Sequence, residues 1–126
     1  MSKRVGIAKE RELVHKFSKA GFVAFRIPGS GATGLPDVVA GNALRKLAIE
    51  CKYSSYKTIY IKRKYVDQLK KIANKMGAEP WFAVKIARYS WFFMNIEDLK
   101  KTKDNNYLVD YESMKIRGLL FEELIS

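Results

Sequence analysis

Two short stretches of the chain carry side chains that could do chemistry. Asp37 follows Pro36 at the mouth of a short apolar run, and Glu50 and Lys52 stand two residues apart inside the run Leu47–Tyr53. If that run is a strand, Leu47, Ile49, Cys51 and Tyr53 face one way, and Ala48, Glu50 and Lys52 face the other. An acid and a base then share a face otherwise occupied only by alanine. So apolar a strand belongs at the centre of a sheet, where charges are costly to desolvate unless they are paired or hold a metal. Asp37 could supply the missing partner. Two carboxylates and a lysine converging on one point would suit Mg²⁺ and metal-assisted phosphodiester chemistry. The plainer alternative is an ion pair on a solvated edge strand.

The rest of the composition narrows the choices. The chain has 126 residues, enough for a single domain. Lys and Arg number 24 against 13 Asp and Glu, giving a net charge of +11 that favours a polyanionic partner, nucleic acid first. No stretch reads as a membrane span, and Met1–Gly6 lacks the apolar segment of a secretion signal. Cys51 is the single cysteine, so one chain offers neither a disulfide framework nor a zinc cluster. These features point to a cytoplasmic protein. His15 is the single histidine, which leaves Ser-His or Cys-His catalysis without support.

The elements that must position these residues follow from periodicity. Ile7–Ala20 reads as an amphipathic helix with Leu13, Val14 and Phe17 as its apolar stripe and Gly21 as its C-terminal cap. Glu10 heads that stripe; it either favours the helix dipole or points into the pocket of Asp37 and Glu50. Phe22–Ile27 is a strand interrupted by Arg26, and Pro28–Gly34 a glycine-rich loop, read as a mobile flap that brings Ser30 to phosphate. Leu35–Gly41 and Arg45–Tyr53 read as antiparallel strands. Ile59-Tyr60-Ile61 is too short to assign. Lys62–Met76 reads as a second helix with Tyr65, Leu69, Ile72 and Met76 inward; Lys62, Arg63 and Lys64 help make its other surface basic, and Gln68 is a weak candidate for the site.

Pro80–Ala87 and Tyr89–Ile96 read as a hairpin whose aromatics, Trp81, Phe82, Trp91, Phe92 and Phe93, exceed what one sheet face needs. Some belong in the core, others on a homodimer surface, with base stacking a third use. Ile96–Lys101 reads as a short helix, and Leu119–Ile125 is apolar enough to pack, against a second subunit in one reading. Helix, three strands, helix and two strands make an α/β fold, with a central mixed β-sheet flanked by helices.

With these blocks in order, the chain resembles the archaeal-type Holliday junction resolvases, a branch of the PD-(D/E)xK nucleases. The residues that carry the likeness are Lys9–Leu13, Gly21–Ala24, Arg26 with Gly29-Ser30, Pro36–Asn42 and Ala48–Lys52, within a similarity running from Gly6 to about Asp98. The resemblance implies a restriction-endonuclease-like core and a single nuclease domain over residues 1–126. Glu10, Asp37, Glu50 and Lys52 match the family's catalytic acids and lysine. Arg11, Arg26 and Ser30 match residues placed near the DNA backbone and active site. It also implies a homodimer using Mg²⁺ or Mn²⁺, whose two sites cut opposed strands of a four-way junction, and an archaeal or viral origin.

On that basis Asp37, Glu50 and the Cys51 backbone carbonyl are expected to ligate the metal. Glu10 is expected to act through a water or a second ion, and Lys52 to do electrostatic work. Arg11, Arg26 and the basic helix, with Lys62, Arg63 and Lys64 at its start, would position phosphates. Two rival functions remain. One is another nuclease of the superfamily, cutting flaps, nicks or duplex. The other is a non-catalytic basic DNA-binding protein.

Overall fold

The computed structural model describes residues 3–126; Met1 and Ser2, part of the segment read for a secretion signal, lie outside them. Helix α1 spans Lys3–Lys19. It starts a turn earlier than periodicity suggests, because Gly6 interrupts the apolar pattern although it is itself buried. Leu13 and Phe17 are fully buried on its inner face. Gly21 ends it with φ 91°, a left-handed conformation open to glycine at little cost.

Strands β1 (Val23–Arg26), β2 (Val38–Gly41) and β3 (Lys46–Ser54) follow, with a single-turn helix α2 (Ser30–Thr33) between the first two. Strand β4 (Thr58–Ile61) and helix α3 (Arg63–Met76) then lead to β5 (Glu79–Ile86) and β6 (Trp91–Met94). The main sheet has the order β1-β2-β3-β5-β6, so β3 is central as its composition demands. It pairs antiparallel with β2 and parallel with β5, making the sheet mixed.

Alternation along the strands sends side chains into two cores. On one face Leu47 and Ile49 pack with Leu13 and Phe17 of α1, and with Phe93. On the other Ala48, Phe82 and Val84 pack with Val66, Leu69 and Ala73 of α3. The helices therefore cover opposite faces of one sheet.

The C-terminal quarter holds what the sequence pattern did not reveal. The short helix expected over Ile96–Lys101 is a single 3₁₀ turn, Ile96–Asp98, and β7 (Lys100–Lys101) and β8 (Tyr107–Asp110) join β4 in a second sheet of order β4-β8-β7. Ile59 and Ile61 are buried by this pairing, whose partners lie far downstream in sequence. Helix α4 (Tyr111–Arg117) starts from a capping box between Asp110 and Ser113. Helix α5 (Phe121–Ile125) packs Phe121 and Leu124 into the α1-side core of its own chain, with Phe121 edge-on to Phe17 at 5.0 Å. This segment is thus accounted for without a second subunit. The aromatic surplus resolves in the same way. Trp81, Phe82, Trp91 and Phe93 are buried and belong to the core, and Phe92, partly buried, packs against the α3-side core. The large apolar side chains left in water include Val23 and Phe25 on edge strand β1, and Leu44.

Candidate active site

The site lies where β2 stops short of β3. Val38 pairs with Ile49, so the register carried two residues further sets Pro36 opposite Cys51. Proline has no N–H, and the antiparallel ladder ends there. The Cys51 N–H is bound instead by Asp37 Oδ2 at 2.8 Å. Within a strand a residue's N–H and C=O point to the same side, so the Cys51 carbonyl also faces this notch, without a backbone donor from the proline.

Asp37 is fixed from three directions. Its backbone carbonyl accepts from Ile27 N–H at 2.9 Å, Oδ2 is held by Cys51, and Oδ1 accepts from the Ser30 hydroxyl at 2.5 Å. Ser30 is buried at the start of α2, which is bracketed by left-handed glycines, Gly29 (φ 69°) and Gly34 (φ 73°). The glycine-rich segment is a structured turn that delivers a hydroxyl to Asp37, where the sequence suggested a mobile flap bringing Ser30 to phosphate. Each Asp37 oxygen keeps a further lone pair for another partner.

Glu50 and Lys52 emerge on the α3 face of β3, as alternation requires. A cavity of about 230 Å³ is lined by Glu10, Ser30, Asp37, Glu50, Cys51 and Lys52, with Gly31, Leu35, Tyr65 and Gln68. Three other hollows are roomier, about 450 Å³ beside Lys70, Lys71 and Glu97, about 530 Å³ beside Tyr60 and Asp104, and about 260 Å³ beside Glu12, Lys16, Lys85 and Glu122, yet none gathers three carboxylates as Glu10, Asp37 and Glu50 do. Chemistry, not size, singles out the smaller one.

The electrostatics are those of crowded acids. Burial, then the charge of Asp37, pushes the Glu50 carboxyl up to about 8; Lys52 opposes this, while a hydrogen bond to Asp37 and the charge of Glu10 add to it. At neutral pH Glu50 therefore holds a proton. Glu10 is raised by burial and by Asp37, and lowered by Arg26, whose Nε donates to its Oε1 at 2.9 Å. Burial, then Asp37, lifts the Cys51 thiol well above its ordinary value, so it stays protonated and unreactive.

The donors form an all-oxygen set suited to a hard divalent cation, and the proton on Glu50 marks where such a charge would be compensated. Among the described residues no three His, Cys, Asp or Glu side chains stand ready as a metal cluster, and Glu10 is engaged with Arg26. The set that comes together is two carboxylates and a main-chain carbonyl, with a third acid tethered beside them.

Of the other expected residues, Arg26 lies against Glu10, while Arg11, Lys62, Arg63 and Lys64 are exposed. The last three crowd the start of α3, with no acid in its first turn; Arg63 reaches Asp67 at 3.5 Å. Cations at a helix N-terminus oppose its dipole, an arrangement relieved by an anion. His15 is exposed. The helical stripe marks Tyr65 only as a core residue of α3. It lines the cavity because it heads the stripe, one turn before Leu69.

The model of the archaeal Holliday junction resolvase (Hjc) family matches residues 1–126. The chain belongs to this family. The match runs through the C-terminal segment, beyond the Asp98 limit read from sequence motifs. Among the curated Hjc relatives, the crossover junction endodeoxyribonuclease Hjc of Archaeoglobus fulgidus is 36% identical, with 96% of this chain and 95% of that protein aligned. The protein of the same name from Sulfolobus acidocaldarius is 33% identical, with 98% and 88% covered. The solved structure of Archaeoglobus fulgidus Hjc superposes with a TM-score of 0.87 at 36% identity, over 93% of this chain and 95% of that one. The mixed sheet with flanking helices is thus the restriction-endonuclease-like core of the Hjc resolvases. In this Hjc family member, no helix among the described residues is long and apolar enough to cross a membrane.

Proposed function

We propose that the protein is a structure-selective endonuclease that resolves four-way DNA junctions by paired phosphodiester hydrolysis. It acts as a homodimer of single nuclease domains over residues 1–126, with Mg²⁺ as cofactor and Mn²⁺ as a substitute. The observation that carries this reading is the pairing of Asp37 with Glu50 beside Lys52 in one cavity of a chain with net charge +11.

Asp37, Glu50 and the Cys51 carbonyl would hold the cation, with Glu10 available once Arg26 turns to phosphate. When bound, the cation supplies Lewis acidity to the scissile phosphate and lowers the pKa of water beside it. Ser30 and the Cys51 N–H keep Asp37 from rotating, so its geometry is set before substrate arrives. Lys52 sets a positive charge at the cavity wall, where it offsets the negative charge that builds on the phosphate under attack. Glu50 would give up its proton to solvent to act as a ligand. Arg11, Arg26 and the Lys62–Lys64 cluster grip the backbone, and nothing among these groups reads base edges, which favours recognition of shape.

The test is cleavage of a four-way junction against linear duplex of equal sequence, with and without Mg²⁺, for the wild type and Asp37→Asn. The wild type should nick opposed strands of the junction alone and require the cation. The variant should lose cleavage and keep junction binding. Equal cutting of duplex, or loss of binding with cleavage, overturns the assignment.

A further inference from the structure

The cavity contains one aromatic ring whose function the reading above leaves unassigned. The Lys52 ammonium lies over the Tyr65 ring, 5.0 Å from its centre. The Lys64 ammonium lies over the same ring, also at 5.0 Å. Tyr65 is half-buried, and its helix is fixed by Val66 and Leu69 in the α3-side core, so the ring is attached to a rigid support. Lys52 has a four-carbon stem with many rotamers; two neighbouring acids define the direction of its attraction but not one position. A ring face contributes a second, directional attraction through its quadrupole.

We propose that Tyr65 is the positioning residue for Lys52, and that Lys64 competes with Lys52 for the same ring. Two like charges drawn to one ring repel each other, so each loosens the other's hold. Lys64 is exposed and lies in the basic cluster assigned to the DNA backbone. A phosphate that draws Lys64 away leaves the ring to Lys52 alone. Backbone contact at the start of α3 is thereby coupled to placement of the lysine in the site. This inference rests on the endonuclease reading only for the role of Lys52; the ring contacts stand by themselves.

The experiment compares Tyr65→Leu, Tyr65→Phe and Lys64→Ala on a four-way junction under single-turnover conditions, with junction affinity measured separately. Loss of the ring face should lower the cleavage rate of Tyr65→Leu by about 3- to 30-fold with affinity unchanged. Tyr65→Phe keeps the face and should stay within about twofold of the wild type. Lys64→Ala should weaken binding and, in the free protein, enlarge the upfield shift that the ring imposes on the Lys52 ε-methylene protons. A second readout needs no activity. Ring current should shift the Lys52 ε-methylene protons upfield in the wild type and Tyr65→Phe, and adding junction should enlarge the shift. The shift should vanish in Tyr65→Leu.

A fully active Tyr65→Leu overturns the proposal. So does a Tyr65→Phe as impaired as the leucine variant, which would assign the effect to the hydroxyl. Should Tyr65→Leu lose its fold by circular dichroism, Tyr65→Phe and the methylene shifts of the wild type still decide. If the wild type does not cleave junctions at all, the endonuclease reading fails, while the ring-current result still tests the contact.

Discussion

Glu50 makes the stability of the metal-free protein depend on pH in a direction opposite to that of an ordinary carboxylate. Burial, and then the charge of Asp37, raises its carboxyl from 4.5 to about 8. The folded protein thus holds this proton more tightly than the unfolded chain does. Below about 4.5 both states carry the proton, and above about 8 neither does. Between those limits the folded state binds more protons, and its stability falls as pH rises. At about 1.36 kcal/mol for each pH unit the whole difference is at most about 5 kcal/mol. Water reaching the cavity screens part of it, so about 2 to 5 kcal/mol is expected.

The perturbation is Glu50→Gln, which keeps the shape and removes the titration. Urea unfolding at pH 5 and pH 8.5, with divalent cations chelated, gives four free energies. The wild type should lose about 2 to 4 kcal/mol more than the variant between the two conditions. Comparing the two proteins cancels the contribution of Glu10 and Cys51 to the extent that each titrates alike in both. Mg²⁺ at pH 8.5 should then restore the wild type and leave the variant little changed, since only the wild type regains a paired charge. Parallel pH dependence in the two proteins would refute the raised proton affinity of Glu50.

Other outcomes follow from the same structure. Junction affinity should fall steeply with salt, and removing Lys62, Arg63 and Lys64 together should flatten the slope of log affinity against log salt by about 2 to 3; an unchanged slope would separate the cluster from phosphate binding. Gly29→Ala meets no atom within 4 Å, so its cost is the left-handed backbone alone, about 1 to 2 kcal/mol in a thermal or urea melt. The Ser30 hydroxyl would then sit less well against Asp37, and cleavage should fall more than binding. Phe17→Ala empties the meeting point of Phe22, Phe93 and Phe121 and should cost about 3 to 5 kcal/mol by denaturation.

Some of this protein is written locally in its sequence. Period-two alternation through Leu47–Tyr53 places Glu50 and Lys52 on one face and the apolar partners on the other, because side chains of a strand have only two directions. Net charge and motif order point to nucleic acid and to the nuclease fold for equally local reasons. Period alone also places Leu13 and Phe17 inward on the first helix. What depends on distant pairing was hidden. The Ile59–Ile61 strand has its partner at Tyr107–Asp110, and no window of sequence contains both. Leu119–Ile125 has an apolar pattern that says it must pack, but only the tertiary fold chooses Phe17 and Phe93 over a second subunit.

The candidate site divides along the same line. Sequence supplies the acids, the lysine and the proline that ends the ladder. Only the folded chain sets Ser30 and the Cys51 N–H on the two Asp37 oxygens, ties Glu10 to Arg26, and lays Lys52 over Tyr65. Residue type and spacing determine which groups can meet. The distances and the exclusion of water that shift their protons arise when α1, α2, β2, β3 and α3 close around one notch.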